Sequence, residues 1–328
     1  MPETFLATAG WEKAQRKPLS GDASGRRYER LVRQGETAIL MIAPKDAAEE
    51  MRRFENLGTH LRGLDLSAPR VFASAPEDGL MLLEDLGNSL YPVAIRADPD
   101  LEREIYIRAL DCLFVLQAAR PPEGPTAFSP GEMARQACLP LSTWAGADDD
   151  AACLFEGELR DALHIFDPVS PVLMLRDFHA ENLFWLPDRP GPAAVGLIDF
   201  QDARLASPLY DVVSLLWDAR RDVPPDLRDA LLARTADRLG RPLDEVTAEA
   251  ATLLLQRNLR ILGIFARLAA GGRPGYLALV PRVWRHIEEA LSAPHLAGLA
   301  GRVRESLPAP TDARLSRFSR PCDATPAP

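Results

Sequence analysis

The sequence predicts an α+β protein with two lobes, a small lobe built on an antiparallel sheet and a larger, mainly helical lobe. Short β-type segments and one helical segment occupy the first 87 residues, whereas long segments with helical spacing of apolar residues dominate from Asp98 onward. The chain has 328 residues, of which 47% are hydrophobic, so it can bury the core of one large domain or of two lobes.

The small lobe is predicted as two strand pairs with a helix between them. Residues 26–44 contain two short apolar runs around the turn RQGE, and residues 46–64 have apolar side chains at helical spacing. Two further strands are predicted within residues 68–88, with PEDG as their turn. We place the end of this lobe near Gly87, so that it comprises residues 1–87.

Residues 88–308 are predicted as the helical lobe. One interruption, residues 171–203, places two apolar β-type segments around the turn PDRPGP, and the chemistry is expected there. The tail, residues 309–328, has little apolar content, and we expect it to fray. Long helices are predicted at residues 101–119, 248–270 and 277–292.

Composition excludes several partners and locations. The formal net charge is −9 and no long run of Lys and Arg occurs, which argues against nucleic acid as a partner. Neither a membrane-spanning apolar run nor a secretory signal is recognisable, so we expect no membrane partner and a cytoplasmic location. The oligomeric state is left open. Four scattered cysteines fit neither a zinc site nor a disulfide scaffold and are expected to stay reduced: Cys112, Cys138, Cys153 and Cys322.

The strongest chemical signal is the segment LRDFHAENLFW followed by LIDFQDA. It contains Asp177, Asn182 five residues later, and Asp199 in the second β-type segment. Phosphoryl transfer needs a carboxylate that orients and deprotonates the attacking hydroxyl, together with oxygen ligands for magnesium. A short loop and an adjacent hairpin can bring these side chains to one metal-phosphate centre; the alternative is that they cap turns and helices. We therefore predict a phosphotransferase site.

The same two segments resemble the motifs of the aminoglycoside-phosphotransferase-like kinases, His-x-Asp-x-x-x-x-Asn followed by an Ile-Asp strand. The resemblance implies a protein-kinase-like form of the two-lobed fold, ATP as phosphoryl donor, Asp177 as catalytic base, and Asn182 and Asp199 as magnesium ligands. Leu175 departs from the motif, which has His at that place. The segment SPLYDVVSLLWDAR is similar to a further family segment, in which Asp211 would begin a helix as its cap and support the active-site loops.

The loop that covers the ATP phosphates in this family corresponds to SGDASGRRYERL, ahead of the first hairpin. Small residues let backbone N–H groups approach phosphate, and Arg26 or Arg27 can add positive charge. The resemblance implies Ser24, Gly25 and Arg26 as ATP-binding residues. The alternative is a plain turn.

The family's phosphate-binding lysine should lie on the strand AILMIAP, but Met41 stands at the expected place. Lys45 lies beyond Pro44, outside the strand. Either another cation compensates, or phosphate binding relies on loop amides and magnesium. The glutamate that pairs with the family's lysine is to be sought among Glu49, Glu50 and Glu55. The alternative is that each is a solvated charge on the helix.

The segment LMLLEDLGN resembles the hinge between the lobes, where backbone groups hydrogen-bond adenine and apolar side chains enclose the ring. The resemblance implies Glu84, Asp85 and Leu86 as ATP-binding positions. It also implies that residues 1–87 form the nucleotide-binding lobe, which ends at this hinge, and that residues 88–308 carry the catalytic loop and the acceptor site. Without the resemblance, the segment is a strand with an acidic end.

Three further segments, GDASGRRYERL, LLEDLGN and QRNLRILGIFARL, are similar to those of the bacterial sugar kinases that phosphorylate the anomeric hydroxyl of N-acetylmuramate and N-acetylglucosamine in cell-wall recycling. The expected acceptor is therefore such a sugar. Candidate acceptor residues are His179, Asp202, Arg220 and Arg257, because arginines suit a carboxylate or a hydroxyl-rich sugar and oppose a polycationic antibiotic.

Two alternatives remain open. One is a kinase for another small alcohol, such as choline, an amino alcohol or an aminoglycoside, which would require acidic or aromatic walls around a cation. The other is a nucleotide-binding pseudokinase scaffold, suggested by Met41 and Leu175. The presence of Asp177, Asn182 and Asp199 argues against a scaffold, because a scaffold has no chemical need for all three residues.

Overall fold

The computed structural model describes residues 2–19, 25–146 and 149–318, without the side chains of residues 149–153. Within these residues no helix has the length and apolar content of a membrane span. The strands are β1 (Gln15–Pro18), β2 (Arg27–Arg33), β3 (Glu36–Ile42), β4 (Val71–Ala75), β5 (Leu80–Glu84), β6 (Val172–Met174), β7 (Leu183–Trp185), β8 (Val195–Leu197) and β9 (Arg204–Ala206). The helices are α1 (Pro2–Thr8), α2 (Ala48–Gly63), α3 (Tyr91–Ala97), α4 (Glu102–Ala118), α5 (Pro130–Ala137), α6 (Asp149–His164), α7 (Leu209–Leu216), α8 (Pro225–Leu239), α9 (Leu243–Ala270), α10 (Val280–Leu291), α11 (Ala297–Ser306) and α12 (Asp312–Phe318).

The chain divides into two compact units. The first contains the residues up to Pro125 together with Leu175–Arg204, and the second contains Thr126–Met174 together with the residues from Leu205 onward. The first unit therefore combines β1–β5 and α1–α4 with the segment of β7 and β8. The lobe boundary near Gly87 falls inside this unit and stays a prediction.

The first unit contains a five-stranded antiparallel sheet in the order β1-β2-β3-β5-β4. In the turn between β2 and β3, Gln34 and Gly35 both have positive φ, at 50° and 86°. Two successive positive φ values give a two-residue turn the twist that a hairpin needs. The hairpin predicted at RQGE is confirmed.

The second predicted turn, PEDG, is also confirmed. Pro76–Asp78 form a single 3-10 turn, and Gly79 follows with a φ of 69° before β5 begins. A Cβ atom at Gly79 would lie 2.3 Å from the carbonyl oxygen of Ala43. The turn therefore requires glycine both for its left-handed conformation and for the close approach of the neighbouring backbone.

The two faces of the sheet have different partners because side chains alternate along each strand. One face forms a buried cluster in which Leu31, Leu40 and Leu82 pack with Leu6 and Trp11. Leu6 belongs to α1, and β1 forms the edge of the sheet next to β2; neither element was predicted. The opposite face lines a pocket.

Helix α2 packs against the segment that follows β8 within the first unit. Its buried residues Met51, Phe54, Leu57 and Leu61 follow helical spacing, as the sequence predicted. The ring of Phe54 stacks on Phe200 with 4.7 Å between centroids and 14° between planes. This contact holds the segment that carries Asp199 against α2.

The second unit is built around α9, a helix of 28 residues that contacts α5, α7, α8 and α10. Gly263 permits a close approach: a Cβ atom there would lie 2.6 Å from the Cγ atom of Leu139. The long helices predicted from apolar spacing are confirmed as α4, α9 and α10.

Part of the predicted fraying tail is a helix. Residues 312–318 form α12, and Phe318 stacks on Trp144 with 4.9 Å between ring centroids. Arg314 donates a hydrogen bond of 2.6 Å to the carbonyl oxygen of Trp144. The expectation of fraying is corrected for this stretch, because one aromatic ring and one arginine anchor it; residues 319–328 lie outside the described residues.

Candidate active site

The hairpin of β7 and β8 brings the predicted metal ligands together. Leu183 pairs with Leu197, so Asn182, just before β7, and Asp199, just after β8, lie at the same end of the hairpin. The N–H of Ile198 also donates to the carbonyl oxygen of Asn182 at 3.2 Å. Antiparallel pairing therefore accounts for the convergence of two residues that are far apart in sequence.

The side-chain amide of Asn182 connects this end to Asp177. Its Nδ2 atom donates to the Asp177 carbonyl oxygen at 3.0 Å and lies 3.4 Å from Oδ2 of Asp199. Asp177 itself lies in a tight turn, in which its N–H donates to the carbonyl oxygen of Leu175 at 2.9 Å. Arg176, in the same turn, has a φ of 72°. The three predicted residues thus form one group.

Asp199 has an unusual backbone conformation. Its φ is 58°, a left-handed conformation that is costly for a residue with a side chain. Gln201 donates from Nε2 to Oδ1 of Asp199 at 2.8 Å and is only 5% exposed. Gln201 was not predicted, although its place two residues after Asp199 was an available signal.

The geometry of this pair fits a magnesium ion. The donation of Nδ2 of Asn182 to the Asp177 carbonyl leaves Oδ1 as the acceptor of that amide, and the side chain of Asp199 is 44% exposed beside the pocket. Magnesium prefers oxygen ligands and commonly binds one or two protein groups, with phosphate and water at its other positions. Within the described ranges, no group of three or more His, Cys, Asp or Glu side chains forms a metal site.

A pocket of about 410 Å³ lies beside these residues, within the first unit. Apolar side chains form most of its wall, and polar groups stand at its two ends. Such a pocket suits a flat ring with a charged substituent. The apolar wall includes Leu19, Ile39, Met41, Leu83, Leu86, Leu90, Phe184 and Ile198.

The predicted hinge residues line one end of this pocket. The carboxylate of Glu84 accepts from Arg189 at 2.6 Å, and that of Asp85 accepts from Nη2 of Arg30 at 2.9 Å. Leu86 is 8% exposed. Both carboxylates are paired with arginines, and the N–H of Glu84 donates to the carbonyl oxygen of Arg70 at 2.8 Å. The hinge resemblance therefore assigns a ligand to the other backbone groups of this segment.

At the other end of the pocket, Arg26 lies between two carboxylates. Its Nη2 atom pairs with Oε1 of Glu50 on α2, and its Nη1 atom is 3.9 Å from Oδ1 of Asp199. Burial tends to lower the pKa of Arg26, but Tyr28, Glu50 and Asp199 outweigh it, and the pKa is raised.

The geometry also selects one of the three candidate glutamates on α2. Glu49 is exposed and pairs with Arg52 at 2.5 Å, while Glu55 accepts a hydrogen bond from Ser74 at 3.3 Å. Glu50 alone of the three is paired with a side chain that lines the pocket.

The structure describes part of the loop that is predicted to cover the ATP phosphates. Gly25 has a φ of 80° and is exposed, a conformation that favours glycine. Ser24 lies outside the described residues. The ATP-binding role of both stays a prediction.

Two of the predicted acceptor residues lie near the catalytic turn. His179 is 6% exposed, and its Nε2 atom is 3.4 Å from Nδ2 of Asn182, so it faces the loop interior. Asp202 is half exposed and lies 3.9 Å from Nη1 of Arg176. Of the two, Asp202 is the more accessible to a ligand.

The other predicted residues belong to the second unit. The N–H of Arg220 donates to Oδ1 of Asp218 at 2.8 Å, and Arg257 is 4% exposed, with its guanidinium 5.8 Å from the centre of the Tyr210 ring. Asp211 is the third residue of α7, and Pro208 takes the cap position. The expectation that Asp211 caps this helix is therefore corrected, because the helix begins two residues earlier.

The chain belongs to the phosphotransferase enzyme family, whose profile matches residues 15–246. It is therefore an enzyme of the phosphoryl-transferring class, as the motifs predicted. The N-acetylmuramate/N-acetylglucosamine kinase of Caulobacter vibrioides is 35% identical to it, over 94% of this chain and 96% of the relative. The kinase of the same name from Pseudomonas aeruginosa is 32% identical, over 94% of each chain.

A solved structure shows the same fold. A choline/ethanolamine kinase family protein from Mesorhizobium loti matches with a TM-score of 0.64 and 15% identity, over 93% of this chain and 98% of that protein. At this identity the likeness shows the fold alone. The predicted α+β, two-lobed protein-kinase-like fold class is confirmed.

Proposed function

We propose that the protein transfers the γ-phosphoryl group of ATP to the anomeric hydroxyl of an N-acetylated amino sugar, N-acetylmuramate or N-acetylglucosamine. The observation that carries this proposal is the grouping of Asp177, Asn182 and Asp199 through one amide, next to a pocket of about 410 Å³. The names of two relatives that match over nearly the whole chain support the choice of acceptor.

In the proposed reaction, Asp177 accepts the proton of the sugar hydroxyl as its oxygen forms a bond to the γ-phosphorus. The bond from that phosphorus to the oxygen bridging the β- and γ-phosphates breaks, and ADP leaves. The turn at Leu175–His179 and the Asn182 amide fix the backbone of Asp177. A fixed base lowers the entropy cost of reaching the transition state.

Asn182 and Asp199 would hold magnesium, which supplies positive charge to the phosphate oxygens when it is bound. Gln201 keeps Asp199 in position by donating to its Oδ1 atom. The left-handed backbone at Asp199 turns its side chain toward the pocket.

The adenine ring is proposed to occupy the apolar part of the pocket, with backbone groups of Glu84, Asp85 and Leu86 as its hydrogen-bonding edge. Arg30 braces this edge because it binds Asp85, and also donates to the carbonyl oxygen of Gly87 at 2.8 Å. The lobe boundary near Gly87 belongs to the same proposal, as does a cytoplasmic location.

For the acceptor, Asp202 and His179 on the catalytic segment and Arg220 and Arg257 in the second unit stay candidates. A choline-like, amino-alcohol or aminoglycoside acceptor is a weaker alternative, since the solved kinase with such a name supports the fold only. A pseudokinase scaffold is weaker still, since the pocket places Arg26 and two potential metal ligands at one end.

A test is ADP release from ATP and magnesium with a panel of N-acetylmuramate, N-acetylglucosamine, glucose, choline and kanamycin. We expect turnover with the N-acetylated sugars and background with the other acceptors. Selective turnover of choline or kanamycin would replace the sugar proposal, and no turnover with any acceptor would favour the scaffold.

A further inference from the structure

The strand that should supply the phosphate-binding cation has none. Met41 on β3 is 3% exposed and lines the pocket, at the place where the family resemblance implies lysine. Lys45 lies in a separate 3-10 turn, Lys45–Ala47, and is exposed. A triphosphate bound beside Asp199 would therefore meet carboxylates without a strand lysine to offset their charge.

Arg26 lines the same pocket as Met41, which stands where the family has its lysine. Tyr28 and Arg30 of β2 line the pocket, and Arg26, the residue just before β2, lines it as well. Tyr28 pairs directly with Met41 across the strands. Arg26 thus lies two residues before Tyr28, the strand neighbour of Met41. Its side chain reaches the pocket from the residue that precedes the adjacent strand.

Its ion pairs have the arrangement that a phosphate-binding cation needs. Arg26 is 7% exposed and pairs with Glu50 of α2, so its long side chain is already ordered. The distance of 3.9 Å between its Nη1 atom and Oδ1 of Asp199 is longer than a hydrogen bond. The Nη1 atom can therefore donate to a phosphate oxygen bound beside Asp199. A guanidinium has five N–H donors and can bind a carboxylate and a phosphate together.

We propose that Arg26 replaces the strand lysine as the cation that binds the ATP phosphates, and that Glu50 holds its guanidinium in place. This inference rests on the proposed function, since it specifies how the nucleotide is bound. It also assigns a role to Glu50. Phosphate affinity then depends on a residue of the loop before β2 rather than on β3.

The test is equilibrium binding of ATP and of adenosine, without acceptor, to wild-type protein and variants. Arg26→Met should weaken ATP binding by about 10- to 100-fold, the usual size of a lost charged hydrogen bond, and leave adenosine binding unchanged. Arg26→Lys should recover part of the loss because the charge is kept. Glu50→Gln should weaken ATP binding by about threefold to tenfold, through looser positioning of Arg26.

The matched control is Arg16→Met. Arg16 is also an arginine of the sheet, but it pairs with Glu29 at 2.5 Å and does not line the pocket. It should bind ATP like wild-type protein. A second test adds Met41→Lys to Arg26→Met; a lysine on the same wall should regain at least about tenfold in ATP affinity.

Unchanged ATP affinity in Arg26→Met, or no regain from the added lysine, would overturn the role of Arg26. Equal losses for ATP and adenosine would also overturn it, because Arg26 would then support the pocket as a whole rather than bind the phosphates. Wild-type protein that binds neither molecule would instead overturn the proposed function, so the two failures are distinguishable.

Discussion

Asn182 depends on its amide group for two different tasks. The amide nitrogen donates to the backbone of Asp177, and the same hydrogen bond orients the amide oxygen as a ligand. His179 lies on the other side of this nitrogen, at 3.4 Å. In the proposed mechanism, this one side chain positions the base and supplies a metal ligand, which explains why the spacing of Asp177 and Asn182 is a strong sequence signal.

Asp177→Asn tests the base. The change keeps the shape of the side chain but removes its capacity to accept a proton, so kcat should fall by about 100- to 10,000-fold. The dissociation constant of ATP should stay within about twofold, because ATP contacts other residues. Kinetics and nucleotide binding measure the two effects separately.

Asp188→Asn is the matched control, since Asp188 is an exposed aspartate in the turn between β7 and β8. It should leave kcat unchanged. Wild-type turnover by the Asp177→Asn variant would contradict the assignment of the base.

Asp199→Asn tests the metal ligand. Loss of the negative charge should raise the magnesium concentration required for half-maximal activity by about tenfold or more, since a carboxylate binds this ion far better than an amide. Magnesium titration at saturating ATP gives the value, with Asp188→Asn as the reference. An unchanged titration curve would remove Asp199 from the ligand set.

Asp177, Asn182 and Asp199 could be predicted because their spacing and residue types follow from the chemistry of phosphoryl transfer. The pairing of Arg26 with Glu50 could not. Three glutamates of α2 were candidates, and the one that pairs with Arg26 depends on how the helix rotates against the sheet. Sequence alone does not define that rotation.

Among the elements, the two hairpins were predictable because their turns have distinctive residues. Gly35 and Gly79 both adopt positive φ at the turns. Strand β1 was missed because all four of its residues are exposed, so it has no alternation to detect. Helix α12 was missed because its packing depends on contacts of Arg314 and Phe318 with Trp144, which is remote in sequence.

Gly263→Ala tests the packing of α9. Although alanine is the better helix former, its Cβ atom would lie 2.6 Å from Leu139, so we expect the free energy of unfolding to fall by about 1–3 kcal/mol. Urea unfolding measures this change.

The control is Gly301→Ala in α11, an exposed helical glycine whose added Cβ would meet no atom within 4 Å. It should instead gain about 0.5–1 kcal/mol from helix propensity. Equal effects of the two substitutions would contradict the close approach at Gly263.

On the scale of the whole molecule, one buried histidine should make stability depend on pH. Burial lowers the pKa of His286 to about 4; Glu289 and Asp222 act to raise it, and Arg285 and Arg228 to lower it further. His286 is 4% exposed and neutral in the folded protein at neutral pH. Between about pH 6.5 and pH 4, the unfolded chain therefore binds a proton that the folded chain does not.

Stability should consequently fall as pH decreases through this range, and this contribution should level off below about pH 4. From pH 7 to pH 5 we expect wild-type protein to lose on the order of 2 kcal/mol more than His286→Leu. Urea unfolding of both proteins at each pH measures the difference. Parallel losses in the two proteins would show that His286 does not titrate as described.

Phosphoryl transfer to the anomeric hydroxyl of an N-acetylated sugar can be tested directly with two related acceptors. N-acetylglucosamine has that hydroxyl, whereas its methyl glycoside lacks it. Both sugars are offered with ATP and magnesium, and ADP release and the phosphorylated sugar are measured. We predict a sugar phosphate from N-acetylglucosamine and none from the glycoside. Equal phosphorylation of the two sugars would contradict the claim, because another hydroxyl would then be the acceptor.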